Sequence, residues 1–311
     1  MKNSNKLTIV MYHYVREIKN SKFPNIKGLE IENFRRQLNY LQKNFNIITA
    51  EQLIQSVLLN KTLPLNSCYL TFDDGYKDHF QYVLPELISR GIQGSFFIAG
   101  ATIIEKKILD VNKIHLILAS TKDKLQLLKG FNFACKELGY SETNLKEYWN
   151  KYVKPDEFDT AEVIYMKRLL QHALPEKSRQ QIIEVLFKKF VNISEVNFST
   201  ELYMSQAEIK KLIENGMYVG CHGYKHHWFN TIPAHEQELD IQLGLDFLKD
   251  VGASIENWIM CYPYGAYNKN TLNILKNNNC SIGLTTVPEL ADLNFHDRLL
   301  LPRFDTNHFP Q

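Results

Sequence analysis

Two adjacent carboxylates follow an apolar run in the segment YLTFDDGY, residues 69–76. We interpret the run as a strand ending at Asp73 and Asp74, because Gly75 then forms the kind of turn at which parallel α/β folds place catalytic groups. Successive side chains of a strand point apart, so the pair does not suit glycoside hydrolysis, which needs two carboxyl groups about 5–9 Å apart across a sugar. We interpret the pair as one metal ligand with a neighbouring general base. A plain Asp-Asp-Gly turn without catalytic function is the alternative.

Three histidines lie within six residues in the segment VGCHGYKHH, residues 219–227. His222 and His226 are four residues apart, so a turn or a first helical turn would bring both imidazoles to one side, as two ligands of one metal ion require. His227 takes the place of His226 if the register differs by one residue. The cluster follows an apolar strand, which predicts that it shares an edge of the sheet with the two aspartates.

A third segment, WIMCYPYG at residues 258–265, predicts a strand that runs into a sharp turn. Such a turn exposes a backbone N–H, which is the kind of donor that stabilises a developing oxyanion. Pro-Tyr-Gly is also an ordinary turn sequence, so the segment supports a catalytic site only together with the other two.

These segments need a scaffold that brings strand ends together. Apolar runs alternate with helical periodicity over residues 7–100 and 201–301, a pattern typical of βαβ units around a parallel sheet. The segment FRRQLNYLQKNF carries one apolar stripe that would pack on such a sheet. Residues 101–200 have helical periodicity and no clear strand, which predicts an all-helical insertion.

The composition excludes several classes of protein. Across 311 residues, 36 Lys and Arg stand against 34 Asp and Glu, and the net charge of +2 gives no electrostatic footprint for nucleic acid. The mean hydropathy is −0.29 and no apolar run approaches about 18 residues, which argues against a membrane span. Five scattered cysteines without a CxxC pair predict reduced, buried thiols, and with no signal-peptide pattern we expect a cytoplasmic protein.

Taken in chain order, FDDG, His-x3-His after a strand, and YPYG resemble the motifs of the polysaccharide deacetylases, carbohydrate esterase family 4. The resemblance covers residues 1–100 and 201–311 and stops at the insertion, residues 101–200. It implies an α/β fold, an irregular (β/α) barrel of the polysaccharide deacetylase type with a helical insertion. It also implies hydrolytic removal of an N-acetyl group from an amino sugar, with a divalent metal held by one Asp and two His.

Carried over to this chain, the resemblance implies that Asp74, His222 and His226 bind the metal and that Asp73 is the general base. The expected ion is Zn²⁺, with Co²⁺, Ni²⁺ or Mn²⁺ as alternatives. A divalent ion with open positions polarises an amide carbonyl and lowers the pKa of bound water, while a neighbouring carboxylate takes the proton. The backbone N–H of Tyr264 would complete the oxyanion hole.

Two departures from the family pattern concern the remaining residues. The family often has Arg where this chain has Cys261, and the late His-containing motif is not in its usual place. The N-terminal VMYHYV resembles that motif in the biofilm poly-N-acetylglucosamine deacetylases, whose barrel is circularly permuted. His13 is then expected to give a proton to the leaving amine, with His308 as the rival donor and a structural role for His13 as the alternative. Arg303 is expected to supply the cation that Cys261 does not, and a surface salt bridge is the alternative.

The predicted function is metal-dependent carbohydrate de-N-acetylation. The expected substrate is an N-acetylated sugar, either soluble or linked to a lipid or nucleotide, in the cytoplasm or at the inner face of the membrane. A C–N hydrolase for a non-sugar amide and a non-catalytic sugar-binding barrel are the alternatives. Because the insertion enters after the predicted strand FFIAG, we expect it to form a lid over the active site, with a docking surface for another subunit as the alternative. The sequence predicts no particular oligomeric state.

Overall fold

The computed structural model describes residues 5–154 and 159–310. Within them, nine strands form one sheet. In chain order the strands are β1 (Lys6–Tyr12), β2 (Asn46–Ile47), β3 (Ser67–Phe72), β4 (Ser95–Ile98), β5 (Tyr218–Cys221), β6 (Ile259–Cys261), β7 (Ile282–Leu284), β8 (Ala291–Asp292) and β9 (Phe304–Asp305). The main order across the sheet is β7-β6-β5-β4-β3-β1-β8, with β2 beside β3 and β9 beside β1. All of these pairs are parallel except that of β1 with β8.

The sheet is curled and open, which makes it a half-barrel, and it confirms the predicted α/β class. The C-terminal segment contacts strands from both sides of this sheet. Leu301 bridges to Leu284 of β7, and β9 pairs with β1 at Val10 and Met11. This segment therefore lies between two strands that are far apart along the hydrogen-bonded order of the sheet.

The chain divides into two compact units. The first unit, which holds the sheet, consists of the residues up to Arg16, Gly28–Lys107 and the residues from Ser199 onward. The second unit consists of Glu17–Lys27 and Ile108–Phe198. The sequence analysis placed residues 17–27 with the barrel, whereas the structure groups them with the helical residues.

The helices of the described residues follow the predicted periodicity. They are, in chain order, α1 (Ile31–Asn44), α2 (Ala50–Leu59), α3 (Leu84–Arg90), α4 (Gly100–Ile104), α5 (Asp110–Ala119), α6 (Lys124–Glu137), α7 (Glu142–Tyr152), α8 (Ala161–Arg168), α9 (Glu176–Leu186), α10 (Glu195–Leu202), α11 (Gln206–Glu214), α12 (Ala234–Asp250) and α13 (Lys269–Asn277). Phe34, Leu38 and Leu41 of α1 are fully buried, so the stripe packs into the core as predicted. Ser205 caps α11 by accepting the N–H of Glu208, as its position before the helix predicts.

Aromatic side chains form a layer across neighbouring strands of the first unit. Tyr12, Phe72 and Phe96 are register partners on β1, β3 and β4, so their side chains project to the same face. The rings stack with centroids 4.9 Å apart in both pairs. Because these residues are at or near the ends of their strands, the layer gives a rigid base to the residues that follow β1 and β3.

The described residues of the second unit from Ile108 onward are mainly helical, as the sequence predicts, whereas residues 17–27 contain no helix. Lys113 of α5 is almost completely buried and pairs with Glu184 and Glu195, while its ammonium group lies 5.7 Å from the ring centroid of Phe187. Burying a charge without partners is costly, so these two carboxylates are what permits a lysine at this position. The lid remains a prediction.

Two other sequence predictions concern the whole described chain. All five cysteines are buried and unpaired, as expected. Over residues 5–154 and 159–310, no helix combines the length and the apolar character that spanning a bilayer requires.

Candidate active site

The parallel register brings the predicted motifs to one edge of the sheet. Tyr12 of β1 pairs with Phe72 of β3, and the N–H of Asp73 donates to the carbonyl of Tyr12 at 2.9 Å. His13 and Asp73 therefore follow neighbouring strands at the same level. On the other side, β4 links β3 to β5, so that His222 also emerges at this edge. Distant parts of the sequence meet here because parallel strands end on the same side.

Asp74, His222 and His226 converge as the sequence analysis expected of metal ligands. The Nε2 atoms of His222 and His226 lie 3.3 and 3.4 Å from Oδ1 of Asp74. All three residues are buried, and one ligand atom from each lies within 4.8 Å of the others. The structure thus selects His226 rather than His227 for this group. Carboxylate and imidazole groups at these separations are able to hold a divalent metal.

The hydrogen bonds around the triad fit a metal ion. Oδ1 of Asp74 is buried and has no hydrogen-bond partner in the described residues, whereas Oδ2 accepts the hydroxyl of Tyr76 at 2.5 Å. Nδ1 of His222 is 2.8 Å from the carbonyl of Cys261, which only accepts, so Nδ1 carries the proton and the lone pair of Nε2 faces the triad. A buried carboxylate oxygen without a donor is costly unless a cation satisfies it.

The backbone at the triad is not helical, contrary to one expectation for the His-x3-His segment. Asp74 and His226 have φ values of 72° and 61°, in the left-handed region that most residues avoid. Tyr264 shares this conformation, with φ of 59°. Such backbone conformations persist where the surroundings impose them, and they cluster at functional sites. The two imidazoles meet through a left-handed turn rather than through one turn of helix.

Asp73 is buried beside the triad and is paired with a cation. Nη1 of Arg303 donates to Oδ1 at 3.0 Å, Nη2 lies 2.9 Å from Oδ2, and the thiol of Cys261 donates to Oδ2 at 3.3 Å. Burial by itself raises the pKa of Asp73, but Arg303, His222 and His13 lower it to about 2. Burial also raises the pKa of Asp74, and the two imidazoles offset this, so that its pKa lies well below the usual value. Both carboxylates are therefore ionised at neutral pH.

Arg303 lies next to Asp73 and Cys261, and the sequence analysis expected it to supply the cation that Cys261 does not. It is only 1% exposed, which excludes the alternative of a surface salt bridge. Its side chain also donates from Nε to the carbonyl of Thr285 and from Nη1 to Oγ1 of Thr71. Arg303 reaches the site because it precedes β9, in the segment that lies between β7 and β1.

The two candidate proton donors have different surroundings. Nε2 of His13 is 3.9 Å from Oδ2 of Asp73, and its side chain is 38% exposed, so it both reaches the site and meets solvent. Nε2 of His79 lies 2.8 Å from the backbone carbonyl of His13. His308 is exposed, and Nδ1 lies 3.1 Å from the carbonyl of Asp305. The structure thus brings His13, and not His308, to Asp73.

Tyr264 lies beside the triad through its ring. The ring centroid of Tyr264 is 4.6 Å from that of His226. The ring of Trp228 stacks nearly parallel to that of Tyr264, with the centroids 4.2 Å apart. Pro263 begins the short turn that contains Tyr264. The structure therefore places the YPYG turn at the site, while the role of its amide as an oxyanion donor stays a prediction.

The sequence analysis missed two residues of this site. Tyr76, two residues after Asp74, was available from the motif itself, since a buried tyrosine needs a partner for its hydroxyl. Asp240 accepts the backbone N–H groups of Tyr224 and Lys225, which lie between the two histidines of the triad. No local pattern indicated Asp240, because it lies within a helix among other charged residues, and the sequence does not distinguish it from an exposed residue of an amphipathic segment.

The curled α/β sheet matches the fold of solved polysaccharide deacetylase structures, and the Asp/His triad lies at its edge. The polysaccharide deacetylase family model matches residues 173–283, a segment that contains both histidines of the triad and the YPYG turn but not the two aspartates. No curated protein matches the chain significantly.

Several solved structures share the fold. A Streptococcus pyogenes deacetylase, PplD in complex with acetate, is 16% identical, with a TM-score of 0.60 over 97% of this chain and 92% of that one. IcaB from Ammonifex degensii is 17% identical, with a TM-score of 0.57 over 97% of this chain and 91% of that one. The BpsB deacetylase domain from Bordetella bronchiseptica is 13% identical, with a TM-score of 0.55 over 96% and 95%. The resemblance to the polysaccharide deacetylases is thus confirmed, and that to the circularly permuted subgroup is confirmed at the level of the fold.

Proposed function

We propose that this protein is a metal-dependent hydrolase that removes the N-acetyl group of an amino sugar. The observation that carries the proposal is the position of an ionised carboxylate, Asp73, directly beside the buried Asp74, His222 and His226. A group able to hold a cation and a group able to take a proton therefore lie next to each other, as hydrolysis of an amide requires. The family match and the acetate-bound S. pyogenes deacetylase support acetate as the product.

In the proposed reaction, each group of the site has its own role. A divalent ion held by the triad, Zn²⁺ in our proposal, would polarise the amide carbonyl and lower the pKa of a water molecule. Asp73 takes the proton of the attacking water, since it is ionised at neutral pH and its orientation is held by Arg303 and Cys261. His13 gives a proton to the leaving amine, and its partial exposure lets solvent restore that proton. The Tyr264 N–H stabilises the negative charge that develops on the carbonyl oxygen.

The substrate we propose is an N-acetylated sugar, free or attached to a lipid or nucleotide carrier, and we place the reaction in the cytoplasm or at the inner face of the membrane. A test is acetate release from free, nucleotide-linked, lipid-linked and oligomeric N-acetylated sugars, with non-sugar acetamides in parallel. Release from the acetamides alone would favour a hydrolase for another amide. Sugar binding without any acetate release would favour a non-catalytic barrel.

Paired substitutions test the two carboxylate roles. Asp74→Ala and His222→Ala each remove one of three ligands, so we expect loss of both bound metal and activity. Asp73→Asn leaves the triad intact, so it should retain the metal and lose about 10²–10⁴-fold in turnover. Metal content by mass spectrometry and acetate release measured on the same samples separate the two effects. If Asp73→Asn also lost the metal, the assignment of ligand and base would be wrong.

A further inference from the structure

We infer that Asp240 is a positioning residue, which holds the loop between His222 and His226 in the shape that lets both imidazoles meet Asp74. Asp240 lies in α12 and is 3% exposed. One carboxylate oxygen accepts the N–H of Tyr224 at 2.7 Å, and the other accepts the N–H of Lys225 at 2.8 Å. The inference deepens the proposed function and rests on its metal site.

The loop needs such support because its backbone is unusual. Gly223 and His226 have φ values of 66° and 61°, so two left-handed residues bracket the two amides that Asp240 accepts. Residues 222–226 form no regular secondary structure, and the N–H groups at 224 and 225 therefore have no partner in the sheet ladder. A carboxylate with two acceptor oxygens is the group that suits two successive amides, and a charged acceptor makes the stronger hydrogen bonds.

The packing of α12 shows that the approach is close. A Cβ atom on Gly223 would lie 2.8 Å from Oδ1 of Asp240, so glycine at this position is what lets the carboxylate reach the amides. One helical turn further along α12, a Cβ atom on Gly244 would lie 2.9 Å from Sγ of Cys221, the residue before His222. Two residues on one face of α12 thus contact the strand end and the loop that carry the histidines.

The two acceptor oxygens of Asp240 can be tested by replacing it with asparagine. Asparagine has the shape of aspartate but only one acceptor oxygen, and its amide nitrogen would face an N–H with another donor. Asp240→Asn therefore leaves the volume of the site unchanged and breaks one of the two hydrogen bonds to the loop. His226, which follows these amides directly, is the ligand that we expect to move.

The experiment measures the affinity of the metal-free full-length protein for Zn²⁺ by competition with a chromophoric chelator, together with the visible absorption spectrum of the Co²⁺ form. We expect Asp240→Asn to bind Zn²⁺ about 10–100-fold more weakly and to change the Co²⁺ spectrum, with an unchanged far-ultraviolet circular dichroism spectrum. The matched control is Asp246→Asn, the same substitution on an exposed residue of α12 that accepts a hydrogen bond from Gln242, which should behave as wild type.

The other outcomes of these measurements also decide the inference. Wild-type affinity and an unchanged Co²⁺ spectrum in folded Asp240→Asn would overturn it, while acetate release and metal binding by the wild-type protein would leave the proposed function standing. If Asp240→Asn does not fold, Gly223→Ala replaces it, since the added Cβ displaces the loop from an intact Asp240. Weaker Zn²⁺ binding by Gly223→Ala would then support the inference, and unchanged binding would overturn it. Failure of the wild-type protein to bind either ion would overturn the proposed metal site and this inference together.

Discussion

Replacing Arg303 by methionine removes the cation beside Asp73 while keeping a side chain of similar length. The guanidinium is buried and makes two contacts of 2.9 and 3.0 Å with the carboxylate of Asp73. It also joins Thr71 of β3 to Thr285 after β7. Removing one partner of a buried ion pair leaves the other charge uncompensated, so Arg303→Met should lower the free energy of unfolding at neutral pH by about 3–5 kcal/mol.

The pKa of Asp73 gives a second measure of the same contact. Burial is the largest influence on this carboxyl and raises its pKa, and Arg303 is the largest of the groups that bring the pKa down to about 2. Without Arg303, we expect the pKa of Asp73 to rise from about 2 towards the usual value of 3.8, because only His222 and His13 then oppose the effect of burial. Because the folded-state pKa of wild-type Asp73 is depressed, its contribution to stability is present above about pH 4 and is lost as the pH falls towards 2. In Arg303→Met this loss of stability should be smaller.

Two measurements check the expected loss of stability and the expected rise of the pKa of Asp73. They are urea unfolding at pH 7, 4 and 3, and acetate release as a function of pH. The acid limb of the activity profile should move to higher pH in Arg303→Met, because Asp73 acts only when ionised. The matched control is Arg298→Met, on the same C-terminal segment, whose guanidinium donates to the carbonyls of Cys280 and Ser281. The control should lower stability without moving the acid limb. A loss of less than about 1 kcal/mol, with an unmoved acid limb, would refute this account of Arg303.

Three other residues give shorter tests. Tyr76→Phe removes the hydroxyl that donates to Oδ2 of Asp74, so Zn²⁺ affinity measured by chelator competition should fall about 10–100-fold, and an unchanged affinity would contradict that role. His13→Ala should keep the metal and lose more activity on acetamides than on activated acetate esters, which need no proton on the leaving group; equal losses in the two assays would remove His13 from the mechanism. Burial lowers the pKa of His79 from 6.5 to about 4, so the unfolded state takes up a proton first and stability should fall by about 3 kcal/mol as the pH drops from 6.5 to 4. In His79→Phe, the free energy of unfolding measured with urea should not fall in this way between pH 6.5 and pH 4. The same dependence on pH in both proteins would contradict this role of His79.

The sequence by itself determined the elements and the residues that follow them. A continuous apolar run indicates a strand that is buried on both faces, and a period-3.6 pattern indicates a helix with one buried side. That is why β1, β3, β5 and α1 were predictable from short segments. The two aspartates and the histidine cluster were recognisable because chemically demanding residue types occur together directly after apolar runs. These are local properties of the chain, and they need no knowledge of which strands become neighbours.

The tertiary structure alone decided which distant residues meet. Arg303 reaches Asp73 because the C-terminal segment pairs with β1 and bridges to β7, a contact across 230 residues that no local pattern specifies. Asp240 reaches the loop before His226 because α12 packs closely at two glycines, and the choice of His226 over His227 follows from a left-handed turn rather than from helical spacing. Local periodicity records whether a side chain is buried, whereas its partner is set by strand order, register and the close approach of backbones, which exist only once the chain has folded.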